Sequence, residues 1–91
     1  MNEMTIKEVT KIELLGIQGK RFALDIFFNL HDGDSVIEDS ICEIYGTLTN
    51  DEGLILDYHD DYEFYWSNKI DMDPITDAIY KYLTKEVYTA A

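Results

Sequence analysis

The segment Arg21–Leu30 constrains the fold of this chain more than any other stretch. Phe22, Leu24, Ile26, Phe28 and Leu30 alternate with Arg21, Ala23, Asp25, Phe27 and Asn29. Side chains on a strand point to opposite faces with a period of two, so the pattern predicts a strand with one buried face. Between Thr5 and Leu15, β-branched residues are mixed with charges, and Gly16-Ile17-Gln18-Gly19 follows as a turn. These two segments predict a hairpin. His31-Asp32-Gly33-Asp34 then breaks the alternation with turn-forming residues.

The rest of the chain reads as more strands and one helix. Over Ser35–Thr49, Val36, Ile37, Ile41, Ile44, Tyr45 and Leu48 fit a helical stripe that Asp34 or Ser35 would cap. The β-branched content and the ending Gly46-Thr47-Leu48-Thr49 favour a strand, and both readings stay open for residues 35–45. Asn50-Asp51-Glu52-Gly53 reads as a hairpin connection, Leu54–Tyr58 as a short strand and His59-Asp60-Asp61 as a turn. Tyr62–Trp66 is expected to be an aromatic-rich strand, followed by a linker over Ser67–Met72. A helix then starts with Asp73 as N-cap, Pro74 at the first helical position and Asp77 in the first turn. Ile75, Ala78, Ile79, Tyr82 and Leu83 form its apolar stripe, with Lys81 and Lys85 toward its C-terminal end. The expected fold is α+β: an antiparallel four- or five-stranded β-meander with one C-terminal α-helix packed on it. Residues 1–91 are expected to form a single domain, roughly 30 Å across.

Charge is distributed unevenly over these elements. Residues 1–30 balance Glu3, Glu8, Glu13 and Asp25 with Lys7, Lys11, Lys20 and Arg21. Residues 31–80 hold fourteen of the nineteen carboxylates against Lys69 alone, so the net charge of −12 is a regional property. A magnitude of about 2–8 is enough to keep a small domain soluble, and concentrating like charge destabilises a compact state. A hydrophobic content of 46% excludes a disordered acidic tail. Cys42 is the single cysteine, which excludes an internal disulfide and suits a reducing compartment. Met1–Ile17 lacks the apolar core of a signal peptide, and no stretch approaches eighteen uncharged apolar residues. The expectation is a soluble cytoplasmic protein that binds neither nucleic acid nor anionic membrane directly and has a basic protein as its partner.

No residue pattern indicates catalysis. Asp57, His59, Asp60, Asp61 and Glu63 form the densest polar cluster, but without the ligand spacing of a calcium loop they read as a solvated acidic turn. His31-Asp32-Gly33-Asp34 is explained by the needs of a turn, and Asp71-Met72-Asp73 by helix capping. Cys42 lies in an apolar segment and reads as a small core residue. No nucleophile, phosphate-binding glycine loop or paired-cysteine metal motif is present, so no cofactor and no metal are expected. The aromatic group Tyr58, Tyr62, Phe64, Tyr65 and Trp66 reads mainly as structural, with an exposed subset offering a homodimer contact.

The acidic block has a density that can be compared with DNA. B-DNA carries one phosphate charge per ~1.7 Å of axis, hence about 20 per turn, with roughly half facing any one partner. Fourteen carboxylates on one side of a domain of this size would reach that density. In its size, acidity, single cysteine, abundance of Asp, Ile and Tyr and its run from Asp32 to Asp77, the chain resembles phage-encoded DNA mimics that block host defence. It is similar in size and acidity to the anti-restriction nuclease (Arn) proteins of T-even phages, and in style to acidic anti-CRISPR proteins. The resemblance implies occupation of the DNA-binding surface of a host restriction nuclease, CRISPR effector or nucleoid protein. The expected phosphate surrogates are Glu38, Asp39, Glu43, Asp51, Glu52, Asp57, Asp60, Asp61 and Glu63, with Asp71, Asp73 and Asp77 extending the strip. A homodimer would lengthen it further. Two other classes remain: an immunity protein or antitoxin covering a basic nuclease toxin, and an assembly protein relying on its aromatic residues.

Overall fold

A computed structural model describes residues 4–60 and 62–88. Four strands, β1 (Met4–Gln18), β2 (Arg21–Asp32), β3 (Ser35–Thr49) and β4 (Gly53–His59), pair antiparallel in chain order. Two helices follow, α1 (Tyr62–Ser67) and α2 (Asp73–Tyr82), and α2 runs on into a π-helical segment over Leu83–Val87. The fold is an α+β meander with its C-terminal helix packed on one face of the sheet.

The alternation in β2 places the strand as expected. Phe22, Leu24, Ile26, Phe28 and Leu30 are buried, and the intervening residues face the other way. Opposite them, β3 buries Cys42, Ile44 and Leu48 with the same period, which settles residues 35–49 as strand. Ile75, Ile79 and Leu83 close this core from the helical side, all three fully buried. Each such side chain contributes about 1.5–3 kcal/mol relative to exposure.

In β1 the apolar residues are not spaced by two. Ile6, Val9, Ile12 and Leu14 pair with Leu30, Phe28, Ile26 and Leu24, and register shifts separate Ile6 from Glu8, Val9 from Lys11 and Leu14 from Gly16. The first two bulges each insert one residue and return Val9 and Ile12 to the core, whereas Leu14 and Ile17 on either side of the third are exposed. Both connections around β2 are two-residue loops, Gly19-Lys20 and Gly33-Asp34, shorter than the turns expected from composition. Gly19 (φ 60) and Gly33 (φ 61) supply the left-handed residue that opens such hairpin loops. Where β3 crosses β2, a side chain on Gly46 would come within 2.7 Å of the Phe22 ring and would also collide with the Ile55 carbonyl.

Three expectations need correction. Tyr62–Trp66 is helix α1 and not a fifth strand, so the sheet has four strands. The helix is set by its C-terminal end: Ile70 N–H donates to the Tyr65 carbonyl and Lys69 N–H to that of Trp66, with Lys69 left-handed at φ 54. This is the Schellman arrangement, and its two anchoring side chains, Tyr65 and Ile70, are both buried. The second correction concerns Asp73, which is the first residue of α2 and not its cap. Met72 holds the cap position, and Asp71 accepts the Asp73 N–H at 3.0 Å. Third, the molecule is elongated, 46 × 21 × 20 Å, because β1 and β3 each run for fifteen residues.

Candidate functional site

With the helices on one face of the sheet, the other face is open. Strand pairing places Glu13 opposite Asp25 and Asp25 opposite Glu43. Asp60, just beyond β4, donates its N–H to the Glu43 carbonyl at 3.0 Å and completes the row. Glu13, Asp25, Glu43 and Asp60 thus form one rung across β1, β2 and β3 and onto the residue that follows β4. At ~4.8 Å per strand the rung spans about 14 Å. Like charges directly opposite on a sheet destabilise it, and here four follow one another.

The electrostatics of the rung follow from this geometry. The Asp25 carboxyl is raised above its ordinary value, first by desolvation and then by Glu43, Glu13 and Asp60. Two tyrosines on the next rung brace Glu43 and Asp60. Tyr45 donates its hydroxyl to Glu43 Oε1 at 2.5 Å, and Tyr58 donates to Asp60 Oδ1 at 3.2 Å, their ring centroids being 5.8 Å apart. The Tyr45 hydroxyl is itself raised, chiefly by that hydrogen bond to Glu43. On the other side of the rung lie Lys11, Phe27 and Ile41, with Lys11 Nζ 5.4 Å from the Phe27 ring centroid and 4.0 Å from Glu13. The acidic row therefore runs between two rows rich in apolar and aromatic surface.

The expected phosphate surrogates are dispersed. Glu43 and Asp60 are in the rung, and Asp57 lines a shallow depression with Arg21, Ala23 and Tyr45 one row further along. Asp51 and Glu52 occupy the β3–β4 turn at one end of the sheet, where Thr49 Oγ1 accepts the Glu52 N–H. Glu38 and Asp39 lie in a bulge of β3 toward the other end, with Asp39 at φ 58. Glu63 is exposed in the first turn of α1. Asp71, Asp73 and Asp77 are exposed on the helical layer, across the core from the rung. Asp61 lies outside the described residues.

Glu13 and Asp25 belong to the rung although neither stands out in the sequence. Both sit in the charge-balanced first third of the chain, and only strand register brings them beside Glu43. The signal that could have found Asp25 is its place among the outward residues of the β2 alternation. His31 pairs at 2.9 Å with Glu8 of β1 and so is not oriented by its sequence neighbour Asp32. Among the described residues, no three His, Cys, Asp or Glu side chains are arranged to hold a metal ion. Cys42 is buried, 3.7 Å from the Asp60 carbonyl oxygen. No helix among the described residues is long and apolar enough to cross a membrane.

No protein-family model matches the chain, and neither a curated protein nor a solved structure does.

Proposed function

We propose that this protein is a non-enzymatic DNA mimic that inhibits a bacterial DNA-binding defence protein, acting in the host cytoplasm. The target class is a restriction nuclease, a CRISPR effector or a nucleoid protein, met at its DNA-binding surface. The observation that carries the reading is the four-carboxylate rung on the open face of an elongated sheet. Residues 4–60 carry twelve carboxylates and only Lys7, Lys11, Lys20 and Arg21 as bases, and no Lys or Arg lies between residues 22 and 68. The long axis is 46 Å. A DNA duplex of that length carries about 27 phosphate charges, roughly half of them toward one partner. Net of their four bases, residues 4–60 carry −8 over that length, somewhat less than one side of the duplex presents. Holding like charges together lowers the stability of the free protein and is relieved when a basic surface binds.

A second reading draws on the rows flanking the rung. Ile41, Tyr45 and Tyr58 are 51%, 39% and 56% exposed, and DNA offers a partner no comparable aliphatic surface in that position. This mixture favours a dedicated contact with one basic protein, as in an immunity protein or antitoxin neutralising a nuclease toxin. Affinity capture from a bacterial lysate, with and without competing duplex DNA, separates the two. A DNA mimic captures a DNA-binding protein that duplex DNA displaces, with capture falling steeply between about 50 and 200 mM salt. Partners that bind regardless of added DNA would exclude mimicry.

A further inference from the structure

We propose that the part of β3 that projects beyond β4 accepts a fifth strand from a partner protein, an extended segment alternating basic and apolar residues. The sheet is stepped at this point. β4 pairs with β3 only from Ile44 to Thr49, and the last link is the Asp60 N–H to the Glu43 carbonyl. Among the described residues, no strand pairs with the outer edge of β3 from Ser35 to Ile41. Seven residues at ~3.4 Å each span at most about 24 Å, and the bulge at Glu38–Asp39 divides this edge into two short pieces.

The edge has the groups that strand addition uses. Backbone groups alternate sides along a strand, so the outward Glu43 carbonyl implies that Ile41 also turns its N–H and C=O outward. Such unpaired edge groups are a template for another chain. Val36, Ile37 and Ile41 flank them at 48%, 46% and 51% exposure, providing apolar contact for alternate side chains.

Charge selects the occupant. Glu38 and Asp39 lie within the projecting segment, Asp34 and Glu43 bound it, and β3 has neither Lys nor Arg. A second copy of this chain, added antiparallel about a twofold axis, would set Glu38 and Asp39 against their own counterparts, which is destabilising. A basic segment meets the opposite sign. The bulge at Glu38–Asp39 interrupts the edge and, with its charges, guards it against indiscriminate pairing. Asp32 and Ser35 close the two-residue loop as a hydrogen-bonded pair, so of Ser35–Ile37 only Val36 turns its N–H and C=O outward. Pairing is left to Ile41 on one side of the bulge and Val36 on the other. The inference does not depend on DNA mimicry.

The test uses the full chain and a capped heptapeptide of alternating lysine and valine. Its control is the same peptide N-methylated along one edge, which keeps every charge and side chain but loses the donors. Ile41→Pro complements it by removing one outward N–H while leaving the bonds to β2. The proposal expects slowed exchange of the outward Val36 and Ile41 amides with the plain peptide, and about tenfold weaker binding for the methylated peptide and for the variant. Equal binding of the two peptides, or no binding, would overturn it. So would protection of the same amides without peptide in a chain that sediments as a dimer, since a second copy would then be the occupant. If Ile41→Pro fails to fold, the comparison of the two peptides on the unaltered chain decides alone.

Discussion

Asp25 is the residue on which the acidic rung centres, with Glu13 on one side, Glu43 on the other and Asp60 beyond. Replacing it with Asn keeps the shape and removes the central charge. Asp25→Asn is expected to stabilise the protein by about 0.2–1 kcal/mol at neutral pH, read as a higher denaturant midpoint. The pH dependence has a definite sign. Because the folded-state value is raised above the ordinary 3.8, the folded chain takes up this proton before the unfolded chain does. Stability from this group therefore rises as pH falls through the raised value, is complete below the ordinary carboxylate range, and is lost as pH rises again. Denaturant midpoints compared between neutral pH and the carboxylate range should show this gain on acidification in the native protein and a smaller one in Asp25→Asn. Equal pH responses would mean that the rung does not hold its charges close enough to matter.

At the scale of elements, α1 shows how end chemistry and packing override local propensity. Tyr62–Trp66 has the aromatic composition of a strand, yet of Phe64, Tyr65 and Trp66 only Tyr65 is buried. It lies against Phe28, with ring centroids 6.4 Å apart, and against His59 at 5.7 Å. A single inward residue is what one short helical turn can offer, whereas a fifth strand would have had to bury alternate residues. The Schellman end that closes α1 uses Lys69 at φ 54, where glycine is the residue without steric penalty. Lys69→Gly is expected to raise stability by about 1 kcal/mol, visible as a higher melting temperature. A loss of stability would indicate that the lysine side chain contributes more than its backbone strain removes. The long strand β1 teaches a related lesson. Its apolar spacing of two and three residues is unreadable as a strand until three bulges are known, because each bulge shifts the period by one.

For the whole molecule, one hydrophobic layer joins sheet to helix and the other face of the sheet remains uncovered. A net charge of −12 on so elongated a shape makes self-repulsion a global property. Raising sodium chloride from about 50 to 200 mM shortens the screening length and is expected to raise the melting temperature of the free protein. An unchanged or lower melting temperature would show that repulsion between carboxylates is not what limits stability. Much of the architecture is legible in the sequence: the β2 strand, the α+β class, the stripe Ile75, Ile79 and Leu83 that runs from α2 into the π-helical segment, and the concentration of charge after His31. These follow from periodicity and composition, which local side-chain geometry translates directly into buried and exposed faces. The state of Tyr62–Trp66, the register of β1 and the sharing of one rung by Glu13, Asp25, Glu43 and Asp60 were decided only in three dimensions. They depend on pairings between residues far apart in the chain, where a shift of one position would turn a carboxylate from the open face into the core. The sequence determined how much charge the molecule carries; strand register, with the Asp60 N–H bond to the Glu43 carbonyl, decided that four of its carboxylates stand in a line.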